Sequence, residues 1–309
     1  MEIRQFGRTR DGATFNLYTM KNYRGISASI TNFGGTLISL LVPDPKGRLS
    51  DVILGYGFDD FNSHKYDLDS HHFGTLIGRC ANRISGGRFA IDGREYQLTQ
   101  NHGRHHLHGG RWGFDKVLWT PSTGKSPIGE YVELNYLSPD GEEGYPGNLS
   151  VKVTFTLTKD NAIRIDYLAT TDQPTIFNPT HHSYFNLAGG GKGDILGHEI
   201  SIESGFYTAV DDEHIPTGEI RSLESTALDF RQPRAIGEAL DLDDPILSSS
   251  KGFDHNFVLD SGGGDLALAA RLYDPASRRG MEVFTTAPGL QFYTGNYLNN
   301  TIIGKDGEP

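Results

Sequence analysis

In VKVTFTL, residues 151–157, Val151, Val153, Phe155 and Leu157 alternate with Lys152, Thr154 and Thr156. A period of two sends one set of side chains to each face of an extended strand, so this stretch predicts a strand with one buried face. Similar short runs recur between turn signals along most of the chain. RFAIDGREYQL, residues 88–98, predicts a hairpin, because its strand-like halves flank Asp92-Gly93, a pair suited to positive φ. Gly34-Gly35, Pro43-Asp44-Pro45, Gly47, Pro139-Asp140-Gly141 and Lys159-Asp160-Asn161 punctuate the neighbouring runs. Helical signals are weak: PRAIGEAL, residues 233–240, has room for a turn or two, with Pro233, Gly237 and Pro245 keeping it short. SGGGD, residues 261–265, predicts a loop between strands, and neither a fixed-period repeat nor a low-complexity linker divides the chain. The pattern predicts one large all-β domain over residues 1–309, an antiparallel β-sandwich with few short helices.

Composition supports strands over helices, with 39 Gly, 17 Phe and 14 Tyr and few long Ala/Leu/Glu/Lys runs. The net charge of −11 argues against a nucleic-acid surface, which needs concentrated cations, and favours a small neutral partner. No apolar run reaches the length of a membrane span, and MEIRQFGRTRDGATF lacks the apolar stretch of a secretory signal. Cys80 is the single cysteine, which excludes an intrachain disulfide and a multi-cysteine metal site. A cytoplasmic location is the expectation, with no nucleic-acid or membrane partner; the oligomeric state is not readable.

Eight of the 12 histidines fall in three short stretches: His71 and His72; His102, His105, His106 and His108; His181 and His182. Metal binding is one explanation, since His106 and His108 share a face on a strand, but no HExxH or comparable ligand spacing occurs. Proton transfer is the other, because imidazole gives or takes a proton near neutral pH and sugar ring opening needs an acid and a base. Trp112, Tyr184, Phe185 and Tyr293 offer flat faces to a pyranose, and Asn82, Arg83, Asp254 and Gln291 can hydrogen-bond its hydroxyls.

Eight segments, in order from residue 32 to 298, carry a resemblance: NFGGTLISLLVPDPKGRLSDVILGY, GRCANRISGGRFAIDGREYQLTQN, LHGGRWGFDKVLW, SPDGEEGYPGNL, NPTHHSYFNLAG, YTAVDDEHIPTGEI, GFDHNFVL and GLQFYTGNYL. Together they resemble the aldose 1-epimerase (galactose mutarotase) family. The resemblance implies a galactose mutarotase-like supersandwich and interconversion of the α and β anomers of free aldohexoses such as galactose and glucose, with no metal or organic cofactor. A base takes the C1 hydroxyl proton, an acid protonates the ring oxygen, the opened chain rotates about C1–C2 and the ring recloses. His182 matches the acid and His108 a second active-site histidine that binds the sugar. Asn82, Arg83, Asp254 and Gln291 match substrate contacts, a structural ion pair being the other use of Arg83. His181 falls where the family often has Asn, and a structural role is expected for it and for His255.

The family's general base is a glutamate in a motif resembling GFCLETQ, beyond the QFYTGN segment. The 309 residues end at TIIGKDGEP without that motif, and Glu308 is not its equivalent. The family's C-terminal end is therefore expected to be missing, through a fragment or a shortened product, unless another carboxylate substitutes. The alternative function is a catalytically weak or silent sugar-binding or regulatory protein. A hexose phosphate substrate is a third reading, with Arg79, Arg83 and Arg88 as its cationic candidates.

Overall fold

In the computed structural model, which describes residues 1–57, 71–191, 193–241, 243–299 and 301–307, the alternating stretch becomes the strand Leu149–Thr158. Val151, Val153, Phe155 and Leu157 are buried, and opposite them on the neighbouring strand Val132 and Leu134 pair with Phe155 and Val153. Full burial of one such side chain contributes roughly 1.5–3 kcal/mol. A one-residue slip would turn the whole set to solvent, so the pattern fixes the register.

Contacts divide the chain into two compact units. The first holds Met1–Pro43 and Leu49–Phe185 with a C-terminal stretch from Ile303; the second holds Asp44–Arg48 and Asn186–Ile302. Among the described residues of the first, Glu2–Arg8, Thr14–Lys21, Ser27–Thr31, Leu37–Pro43 and Leu49–Asp51 form an antiparallel sheet in sequence order. Thr120–Lys125, Gly129–Ser138, Leu149–Thr158 and Ile163–Thr171 form another. Met20, Ala28, Ile30 and Leu37 from one sheet share a core with Val132, Val151 and Phe155 from the other, closed by Phe114 and Trp119. That is a sandwich.

The turn signals act as expected. Asp92 (φ 52°) and Gly93 (φ 78°) join Arg88–Ile91 to Arg94–Gln97, the two successive positive φ values that a tight hairpin turn requires. Gly141 (φ 84°) and Asn161 (φ 69°) lie in the turns at the two ends of Leu149–Thr158.

The second unit has the sheets Pro216–Ser222, Phe206–Val210, Asp254–Val258, Gly289–Tyr293 and Arg234–Ala235, Glu199–Ile202, Ala267–Asp274, Arg279–Thr285, again antiparallel. Its core joins Ile200, Ile202, Tyr207, Phe230, Phe253, Phe257 and Ala269. Residues 261–265 form the predicted loop, with Gly262, Gly263 and Gly264 all at positive φ. The helical turn foreseen near residue 236 spans Ile236–Ala239. The first helix is as short as expected, and Pro245 opens a second one, Pro245–Ser248. Its missing N–H costs nothing at the first helical position, and the Asp244 carboxylate accepts the Ile246 N–H at 2.7 Å. No helix among the described residues is long and apolar enough to cross a membrane.

Candidate active site

Three short pairings within the first unit gather the histidine-bearing segments. Arg83–Ile84 pairs with His106–Leu107, bringing ANRI beside LHGG. Leu76–Ile77 pairs with Thr180–His181, and the Gly74 N–H donates to the His182 carbonyl while the His182 N–H donates to Thr75, both at 2.9 Å. Asn178 exchanges backbone bonds with Arg79 and Ala81 at 2.9 and 2.8 Å. Segments up to 108 residues apart in sequence are therefore held by backbone bonds, which side-chain substitutions leave in place.

These pairings put three imidazoles together. Ring centroids lie 5.1 Å apart for His72 and His108, 5.3 Å for His108 and His182, and 5.9 Å for His72 and His182, with the Tyr184 ring tilted at 5.1 Å from His182. His72 (φ 55°), Asn82 (φ 59°) and His108 (φ 51°) all adopt left-handed backbone conformations. Such strain costs on the order of 1 kcal/mol per residue and persists where the surroundings over-determine it, commonly at functional sites.

Hydrogen bonding fixes the His108 tautomer. Its Nδ1 accepts the Asn82 N–H at 3.0 Å, so the ring proton of the neutral form sits on Nε2, which is a donor. Burial pushes the His108 pKa well below the usual imidazole value, and His72, His182 and Arg83 act in the same direction. An Nε2–H has no lone pair for a metal, so the three rings do not make a ligand set. Among the described residues, no group of three or more His, Cys, Asp or Glu is arranged to hold a metal ion.

Asn82 Oδ1 accepts the Arg83 backbone N–H at 2.9 Å and its Nη1 at 3.3 Å. Arg83 Nε is buried with no hydrogen-bond partner among the described residues, which leaves a charged donor for a ligand. No ion pair of Arg83 occurs among the described residues either. His182 is lowered to about 4, first by burial and then by His72, while its own backbone and the Asp115 carboxylate oppose the shift.

His181 takes the other side of its strand. Its ring meets Phe155 edge-on at 5.4 Å and its Nδ1 lies 2.9 Å from Ser183 Oγ. Burial drives it to about 4 as well, against the pull of the Gly35 carbonyl. His106 is buried too. Its Nδ1–H donates to the Thr99 carbonyl and its Nε2 accepts the Tyr145 hydroxyl, both at 2.7 Å, so it does not join His108. His255 Nδ1 accepts the Asp254 N–H at 3.1 Å in a buried setting.

Asp254 and Gln291 belong to the second unit, where Gln291 Nε2 donates to Asp254 Oδ1 at 2.7 Å. Of the aromatic candidates, Tyr184 touches the imidazole cluster, Phe185 packs on the first core and Trp112 is 57% exposed. Tyr293 lies in the second unit. Two of the three cationic candidates for a phosphate, Arg79 and Arg88, are engaged elsewhere. Arg79 is buried and donates to the carbonyls of Ser138, Pro139, Pro146 and Gly147, and Arg88 contacts Gln97 and Glu95. Glu308 lies outside the described residues.

Sequence reasoning missed two members of the cluster. His72 Nδ1 lies 3.0 Å from Asp115 Oδ2, with side chains only 10% and 4% exposed. The HHFG doublet and the GFDK segment both stood out, but no spacing rule links residues 43 apart.

An antiparallel sandwich unit presenting imidazole, amide and guanidinium donors defines a class: a β-sandwich protein equipped for proton transfer on a polar ligand. The sequence model of the family described as aldose 1-epimerase matches residues 16–309, and the chain belongs to that family. Bovine galactose mutarotase is 45% identical over 282 residues, covering 91% of this chain and 78% of its own length. The aldose 1-epimerase of Escherichia coli K12 is 36% identical over 291 residues, covering 94% of this chain and 82% of its own. The crystal structure of galactose 1-epimerase from Lactobacillus acidophilus superposes with a TM-score of 0.85 at 29% identity, over 97% of this chain and 84% of that one. The fold is thus the galactose mutarotase-like one that the motifs implied.

Proposed function

We propose that this chain interconverts the α and β anomers of free aldohexoses, galactose and glucose among them, by acid–base ring opening and reclosure. The observation that carries the reading is the meeting of His108 and His182, ring centroids 5.3 Å apart, in a member of the aldose 1-epimerase family. In the proposed reaction water, or a carboxylate in place of the family's glutamate, removes the C1 hydroxyl proton, and the C1–ring oxygen bond breaks as C1 becomes an aldehyde. His182, having taken up a proton from solvent to become the imidazolium, gives it to the departing ring oxygen. Rotation about C1–C2 and the reverse proton transfers yield the other anomer.

The dry surroundings keep His182 neutral in the free protein near pH 7, with a pKa of about 4. Deprotonation at C1 makes the bound sugar anionic, and a nearby negative charge favours the imidazolium. His108 donates its Nε2–H to the ring-oxygen region and the Arg83 guanidinium and Asn82 bond the sugar hydroxyls; Asp254 and Gln291 are the further substrate contacts that the family's motifs imply. No metal or organic cofactor takes part, and the substrate is a small sugar met in the cytoplasm.

Polarimetry on freshly dissolved α-D-galactose tests the reading. The 309-residue chain should accelerate mutarotation, and His182→Ala should lose the catalysed rate, general acid catalysis being worth about 10² to 10⁴-fold. Equal rates for parent and variant would remove His182 from the mechanism. A folded parent that leaves the spontaneous rate unchanged would sink the function.

A further inference from the structure

The proposed reaction uses His108 and His182 but leaves His72, the third imidazole, without a task. His72 is 5.1 Å from His108 and 5.9 Å from His182 between ring centroids, and its backbone is held at φ 55°. Asp115, from the turn Phe114–Lys116, is bonded to His72 through Oδ2 at 3.0 Å, while its Oδ1 is buried with no hydrogen-bond partner among the described residues. A carboxylate only accepts, so the Nδ1 of His72 carries a proton, as in the His–Asp pairs that orient catalytic imidazoles.

The two members of the pair act on His182 in opposite senses. An imidazolium at His72 would put like charge beside His182, while the Asp115 carboxylate puts opposite charge there. Among the described residues, the other charged or titratable groups of the cluster include His108 on the LHGG loop with His102 acting on it, Arg83 from Arg83–Ile84, Tyr184 from the segment of His182 itself and Lys116 beside Asp115, its Nζ 3.7 Å from Oδ2.

We propose that His72 and Asp115, hydrogen-bonded to one another beside the His182 ring, form a positioning pair that governs proton transfer by His182. This rests on the epimerase reading of the site. His72 and Asp115 are positioning residues, acting through His182 rather than on the sugar.

The test uses the full chain with Asp115→Asn and His72→Asn, the latter because Asn tolerates positive φ. Imidazole nitrogens of ¹⁵N-histidine-labelled protein are followed by NMR through a pH titration, and mutarotation of galactose is measured in parallel. The titration midpoint of His182 should fall in Asp115→Asn and rise in His72→Asn, by about half a unit or more each. Asp115→Asn should lower kcat about tenfold near neutral pH while KM changes less than about threefold, the signature of an interaction made in the transition state. A purely structural role would move both midpoints the same way or neither, and that result overturns the proposal. Should Asp115→Asn fail to fold, the upward shift in His72→Asn decides alone, and its absence is fatal. The NMR arm needs no turnover: opposite shifts in an inactive parent would defeat the epimerase reading and leave the pair's coupling to His182 established, whereas absent shifts in an active parent would defeat the pair alone.

Discussion

Of two adjacent histidines, His181 ends the strand Thr180–His181 with its ring against Phe155 while His182, the next residue, meets His72 and His108, and the consequences separate cleanly. The His181 ring lies against Phe155, so its proton affinity bears on stability. An unfolded imidazole takes a proton near pH 6.5, whereas folded His181 takes one only near 4. The unfolded chain thus binds a proton that the native state excludes, and native stability falls as pH drops from 6.5 to 4, then levels off. In His181→Asn that part of the acid sensitivity should vanish while the mutarotation rate is kept; urea midpoints measured between pH 4 and 7 would show it, and an unchanged slope would contradict the assignment. The adjacency rule made this division legible from sequence. The partner of His72 was not legible, because a hydrogen bond between residues 72 and 115 leaves no trace in local pattern.

The loop that follows His108 shows why short elements need tertiary support. Gly109 sits at φ 86°, and a Cβ there would lie 1.7 Å from the Gly78 carbonyl oxygen. Backbone cannot yield as a side-chain end does, so Gly109→Ala should cost on the order of 3 kcal/mol or more, seen as a lowered denaturation midpoint. Glu143 then fixes the far end of the loop, its carboxylate accepting the N–H groups of Arg111 and Trp112 at 3.0 Å each. In Glu143→Gln these charge-assisted bonds weaken, and KM for galactose should rise about three- to tenfold with kcat little changed. A KM equal to the parent's would show that the loop does not shape the sugar site. At this scale the strands and hairpins were readable from alternation and turn residues. The second helix, Pro245–Ser248, was not foreseen, because a proline that limits one helix is also suited to begin another and the Asp244 cap that marks this use appears only in the structure.

For the whole molecule, the net charge of −11 has a consequence for kinetics rather than for fold. A neutral sugar feels little of that field, so kcat/KM for galactose should change less than about twofold between low and high salt. A phosphorylated hexose should be a poor substrate, since Arg79 and Arg88 are engaged with carbonyls and neighbouring side chains. Strong salt dependence on galactose, or a preference for the phosphate, would contradict this picture. By itself, the sequence determined the all-β class, the principal turns, the family and the histidines to watch, because alternation, turn chemistry and ordered motifs are written locally along the chain. Only the tertiary structure decided that Asp115 stands behind His72, that Asn82 sets the tautomer of His108, and that Arg79 and His106 are structural. Each of those outcomes depends on a hydrogen-bond partner, which strand pairing and packing bring near from distant parts of the chain.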